Sequence, residues 1–196
     1  MRGDLFASWQ AAFVEVIRAS SIGEPLREAS QAADLKAWTA SLTKAVVRSC
    51  ESMQWKAAGL RHKLDLLPKA GEEYLSIDVM GFAPDSMNGR WPLPIAVFEL
   101  ENDRTDDRVA YSLWKVLCVK AQLRVVFAFR PDWDSGRSSV AAIGKDIIGS
   151  LSEQQLHDLR GDTAIIFGNR GEGEHFPDGF FKCYLLDREL RKFNKA

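Results

Sequence analysis

Tyr74-Leu75-Ser76-Ile77-Asp78-Val79-Met80-Gly81-Phe82 and Pro94-Ile95-Ala96-Val97-Phe98-Glu99-Leu100-Glu101 are two runs of strand formers, separated by Pro84-Asp85-Ser86-Met87-Asn88-Gly89-Arg90. Asn-Gly is the strongest short hairpin signal, so the two runs are read as antiparallel neighbours. Each carries acids where a strand disfavours them: Asp78 in the first, Glu99 and Glu101 in the second. Side chains alternate across a strand, so Glu99 and Glu101 leave by the same face. A turn centred at Asn88 sets residue 78 opposite about residue 98, which brings Asp78 beside Glu99.

The pattern on either side completes an α/β order. Upstream, Leu5, Phe6, Trp9, Phe13, Val16 and Ile17 recur at helical spacing over residues 4–20, with Asp4 as cap. Gly23 and Pro25 interrupt before a second helix over 30–53, which ends near Glu51. Residues 55–66 are read as a first strand and 68–73 as a turn. Downstream, residues 102–107 cap a helix running to about 121, with Val109, Leu113, Val116 and Leu117 on one face. Leu123 to Phe129 is a further strand closed by Pro131. Residues 138–160 read as helical, broken near Gly149-Ser150 and restarted at Ser152, whose Ser-Glu-Gln-Gln resembles a capping box. Strands follow over 163–167 and, as the last element, 180–186, on either side of a Gly-rich acidic loop over 168–179.

Three acids on one patch of sheet are costly to bury without positive charge nearby. Oxygen ligands without a His or Cys cluster suit Mg²⁺ or Mn²⁺ rather than Zn²⁺. His62, His157 and His175 have no zinc-ligand spacing. Gly171-Glu172-Gly173 lacks the strand-then-helix setting of a phosphate loop, and no Ser or Cys sits in a nucleophile elbow. The competing reading has Glu99 and Glu101 on a solvated strand, paired with lysines.

Asp78 followed by Glu99-Leu100-Glu101, within helix–strand–strand–strand–helix–strand, resembles the restriction-endonuclease-like PD-(D/E)xK nuclease superfamily, in a Glu-x-Glu variant. The resemblance covers roughly residues 35–130. It implies an αβββαβ core: a central mixed sheet with a β-hairpin, flanked by helices. It implies a Mg²⁺- or Mn²⁺-dependent nuclease hydrolysing phosphodiester bonds in DNA, with RNA a second substrate class. Asp78 and Glu99 would bind the metal with the Leu100 carbonyl, and Glu51 matches the family's helical acid. Glu101 replaces the family lysine; it can bind metal or orient water but supplies no cation, which Lys115 on the following helix would provide. The literal Pro-Asp pair falls at Pro84-Asp85, near the hairpin tip, so Asp78 is preferred. The family also contains inactive scaffolds, so the alternative is a catalytically inactive module for nucleic-acid or protein interaction.

Composition bounds the partners. The 196 residues carry 26 Lys+Arg against 27 Asp+Glu, a net charge of −1, with 46% hydrophobic residues. These values exclude a collagen-like, disulfide-scaffold or wholly disordered chain, and fit a single domain over 1–196. A neutral total does not draw nucleic acid by itself. Lys56, Arg61 and Lys63, with His62, and Lys44 with Arg48 on the preceding helix, are the candidate phosphate contacts, and Trp114 and Trp133 the candidate base-stacking rings. Cys50, Cys118 and Cys183 form no C-x-x-C pair and read as reduced structural residues of a cytoplasmic protein. No stretch approaches the ~20 apolar residues of a membrane span. The helix over 4–20 and the α/β extension over 135–196 are free to cover the sheet, shape a substrate surface or join two copies in a homodimer.

Overall fold

The computed structural model describes residues 4–64, 73–84, 91–103 and 105–196. The expected turn over 68–73 and the tip with Asp85, Asn88 and Gly89 fall largely or wholly outside them. Seven strands form one mixed sheet whose spatial order follows the chain: β1 (Lys56–Gly59), β2 (Val79–Phe82), β3 (Ala96–Leu100), β4 (Leu123–Arg130), β5 (Asp162–Asn169), β6 (Phe181–Asp187) and β7 (Lys192–Lys195). The β1–β2 and β2–β3 pairs are antiparallel, β3–β4–β5 parallel, and β5–β6–β7 antiparallel. The protein is therefore α/β, with a mixed sheet flanked by helices.

Alternation along the strands sorts two cores. On one face α1 (Asp4–Arg18), α2 (Ser20–Gln31) and α3 (Leu35–Ser52) bring Trp9, Phe13, Leu26, Trp38 and Val46 onto Phe98, Val125, Phe127 and Phe129. On the other, α4 (Asp106–Leu117), α5 (Trp133–Ile143) and a π turn (Gly144–Ile148) bring Val109, Leu113, Val116, Val140 and Ile143 onto Met80, Val97, Val126 and Ile165. α4 and α5 cross over between parallel strands, so both faces of β3 to β5 are covered and these strands are largely apolar, with Glu99 in β3 and Arg124 in β4 among the buried charged exceptions.

Several expected boundaries move for identifiable reasons. Gly23 and Pro25 do not end a helix; they lie inside α2. A Cβ at position 23 would sit 1.9 Å from the Ile17 carbonyl oxygen, so the glycine lets α2 turn tightly against the end of α1. α3 starts only at Leu35, where the Asp34 carboxylate accepts the Ala37 N–H. The first strand stops at Gly59 rather than near 66, and β7 follows the strand expected to be last. The Ser152–Gln155 capping box is present at the start of α6 (Glu153–Asp158). The start of the 74–82 run is a tight turn, with the Ile77 N–H bonded to the Tyr74 carbonyl and both Leu75 and Ser76 at positive φ; β2 begins only at Val79.

Candidate functional site

β2 enters the sheet at the edge where β3 leaves it, because the two are antiparallel. Val79 pairs with Phe98, so one step further Asp78 stands opposite Glu99, one residue from the register read in the sequence. Met80 and Val97 face α4, and by alternation Asp78 and Glu99 face it too. The Leu100 backbone N–H donates to Asp78 Oδ2 at 2.6 Å, which ties this carboxylate across to the last residue of β3. The site lies at the carboxyl end of β3, beside parallel β4, the edge at which open α/β sheets bind ligands.

Glu99 is 3% exposed. Its Oε2 lies 2.7 Å from the Lys115 Nζ of α4, and that ammonium also donates to the Ser76 carbonyl of the tight turn. Its Oε1 is buried with no hydrogen-bond partner among the described residues, and the Asp78 backbone N–H also stabilises the Glu99 carboxylate. Burial pushes the Glu99 carboxyl up to about 7, opposed by the Lys115 hydrogen bond and reinforced by the Asp78 charge. Burial likewise pushes Asp78 up to about 6, opposed by the Leu100 N–H. Two neighbouring acids with raised affinities for a proton are poised to give it up to a stronger positive charge.

Lys115 falls outside the apolar stripe of α4 defined by Val109, Leu113 and Val116, yet it reaches Glu99. It sits on the flank of the helix, and its long stem carries the ammonium down to the sheet edge. Glu101 is near the pair and raises the Asp78 carboxyl slightly. Its own oxygens are engaged, Oε1 by the Asp103 N–H at 2.8 Å and Oε2 by the Ser112 hydroxyl at 3.2 Å.

Glu51 is placed apart from the others. The start of α3 lies at the site edge, where the Asn102 side-chain amide donates to the Leu35 carbonyl. Glu51 comes 16 residues later, about 24 Å along the helix, and pairs there with Arg48 at 2.7 Å. α3 runs directly into β1, whose first residue Lys56 is opposite Phe82, at the far end of β2 from Asp78. Lys56 is therefore also distant from the pair, while the exposed Arg61 and Lys63 follow Gly59 at the site edge. Of the two candidate stacking rings, Trp133 is covered by the Lys182 ammonium at 3.5 Å and donates to Glu172. Trp114 is open to solvent. Cys50 and Cys183 are buried and Cys118 is exposed.

Gly59 shapes this edge in a way the sequence did not signal. A Cβ there would lie 2.6 Å from the Asp78 carbonyl oxygen and 3.2 Å from the Val79 side chain. Gly59→Val is expected to push β1 away from the backbone that carries Asp78, costing roughly 1–3 kcal/mol. A urea midpoint equal to wild type would show that the gap has room for the side chain.

Among the described residues, no group of three or more His, Cys, Asp and Glu side chains gathers as a metal cage. Mg²⁺ commonly takes one or two carboxylates and completes its shell with water and substrate phosphates. Asp78 and Glu99, with one Glu99 oxygen unpartnered among the described residues, fit that mode. A cleft of about 940 Å³ lined by Ala83, Ile95, Gln122, Arg124 and Gly161 opens at the opposite edge, where β3 to β5 begin, away from the carboxylates. No helix among the described residues is long and apolar enough to cross a membrane. Compared with protein-family models, with curated proteins and with solved structures, the chain matches none.

Proposed function

We propose that the protein is a metal-dependent nuclease of the restriction-endonuclease-like kind, hydrolysing phosphodiester bonds in DNA, with RNA a second substrate class. One observation carries the reading: a buried carboxylate, Glu99, faces Asp78 across two adjacent strands, held on one oxygen by Lys115 and without a partner among the described residues on the other. The order helix, three strands, helix, strand from α3 to β4 supports the same assignment.

Asp78 and Glu99 are the residues that would hold Mg²⁺ or Mn²⁺, with the Leu100 carbonyl as the backbone candidate. The bound ion would supply Lewis-acid polarisation of the phosphate and a more acidic water. The chain's own groups divide the remaining work. The Leu100 N–H fixes one Asp78 oxygen, and Lys115 fixes one Glu99 oxygen, so the carboxylates are oriented before a ligand arrives. The Lys115 ammonium offers positive charge to a phosphate in transit, standing in for the cation that Glu101 cannot provide. Glu101, steadied by Ser112, would orient a water.

The test is incubation of the full chain with supercoiled and single-stranded DNA in Mg²⁺, Mn²⁺ or EDTA, beside Asp78→Asn and Glu99→Gln. Cleavage by wild type alone, together with a metal-dependent rise in its Tm, is the expected result. The inactive interaction module is the second reading, favoured by the fact that Lys115 already neutralises Glu99 without a metal. Absence of both cleavage and any metal-dependent Tm shift would overturn the nuclease reading and favour that module instead.

A further inference from the structure

Among the described residues, α4 carries two exposed aromatic rings side by side, whereas Trp91, also exposed, stands alone in the segment before β3. Trp9, Trp38 and Trp55 are buried, and the Trp133 ring is capped by Lys182. Tyr111 and Trp114 are instead 55% and 52% exposed, with ring centroids 6.0 Å apart and planes inclined by 30°. Burying such rings is the ordinary way to gain stability, and leaving two adjacent ones in water needs a reason.

Their position supplies one. Tyr111 precedes Lys115 by four residues, so the two are neighbours along one side of α4. Arg108, also exposed, stands a turn before Tyr111. The solvent side of the helix thus presents Arg108 and the ring pair, while Lys115, 20% exposed, leaves the flank beside them to hold Glu99. Phosphates seek the cations and bases seek the rings, and this interleaving is how proteins track an unpaired strand. A duplex keeps its base faces stacked inside and offers the rings nothing comparable. Asp107 lies on the same side of α4, a turn before Tyr111, and repels phosphate.

We propose that Tyr111 and Trp114 form a stacking platform for unpaired bases, making single-stranded nucleic acid, or a single-stranded end, the substrate class of the site. The proposal rests on the nuclease reading for the direction of the strand, which would pass over Lys115 toward Asp78 and Glu99. Binding to the rings is measurable without cleavage.

The experiment titrates a fluorescein-labelled oligothymidine of twelve nucleotides, and a duplex of equal length, into the full chain in EDTA at low salt. Wild type is compared with Tyr111→Ala, Trp114→Ala and Asp107→Asn. All three positions are exposed, so an unchanged Tm serves as the folding control. The expected result is quenching of tryptophan emission that disappears in Trp114→Ala. Single-strand affinity should fall roughly 5- to 150-fold for each ring removed and rise for Asp107→Asn, with duplex binding unaltered by loss of either ring. Ring variants that bind the single strand like wild type would overturn the platform, as would equal losses for duplex and single strand. Wild type that self-associates through these rings without binding oligonucleotide would assign the surface to a second copy of the chain. Ring-dependent binding without any metal-dependent cleavage would retain the platform and remove the nuclease reading; cleavage indifferent to the rings would do the reverse.

Discussion

Asp78→Asn is expected to make the metal-free protein more stable at pH 8, by roughly 2–3 kcal/mol, while abolishing metal-dependent cleavage. The Asp78 carboxyl is raised from an ordinary 3.8 to about 6, chiefly by burial. A carboxyl whose folded pKa lies above its unfolded value binds a proton more tightly when folded. Wild-type stability therefore falls as pH rises from about 4 through about 6 and is lowest above that window. Glu99, raised to about 7, extends the decline toward neutrality. Asparagine keeps an oxygen for the Leu100 N–H yet brings no charge to desolvate, and it relieves the repulsion felt by Glu99. The gain should be small near pH 4 and fully developed above pH 7. Urea denaturation at pH 4.5 and pH 8 in EDTA measures it, and equal midpoints for the two proteins at pH 8 would remove the idea that Asp78 is an unfavourably buried charge. Adding Mg²⁺ or Mn²⁺ should reverse the ranking, because the cation repays in wild type a desolvation cost that the variant no longer carries.

Trp9→Ala is expected to cost about 3–5 kcal/mol, a large part of the 5–15 kcal/mol typical of a domain. The indole is fully buried, 4.9 Å from the Phe98 ring and 5.4 Å from Phe13, which in turn packs 5.3 Å from Phe127. Phe98 and Glu99 are consecutive on β3 and point to opposite faces, so α1 braces the strand from behind the carboxylates. Loss of the indole should lower the thermal midpoint and weaken metal binding through a looser β3, without altering any residue at the site. A midpoint within a degree or two of wild type would mean that α1 is a detachable cover. The same packing answers one use left open for the helix over 4–20: it covers the sheet.

The legible part of the site came from short-range rules. Alternation and antiparallel pairing of the two strand runs put Asp78 next to Glu99, one residue from the expected register, while the Asn-Gly pair itself lies outside the described residues. The capping box at Ser152, the strand over 123–129 and the buried strand over 163–167 were equally local. Errors arose where local chemistry was weak or ambiguous. Lys-Ala-Ala-Gly has little strand propensity, so the strand expected over 55–66 ends at Gly59, and the short polar β7 carries no signal at all. Pro25 reads as a breaker, but it lies on the exposed side of α2, whose buried Gly23, Leu26 and Ala29 hold the helix in place.

By itself the sequence determined an α/β chain with acids in two adjacent strands, because hydrophobic period and turn chemistry act over a few residues. Only the tertiary structure decided which charges meet. The direction in which α3 enters β1 carried Glu51 to the far end of the sheet, and the docking of α4 let Lys115 descend from the flank of its helix onto Glu99. Those outcomes depend on how whole elements pack and in which direction they run. Such information is spread over the entire core and is written in no single motif.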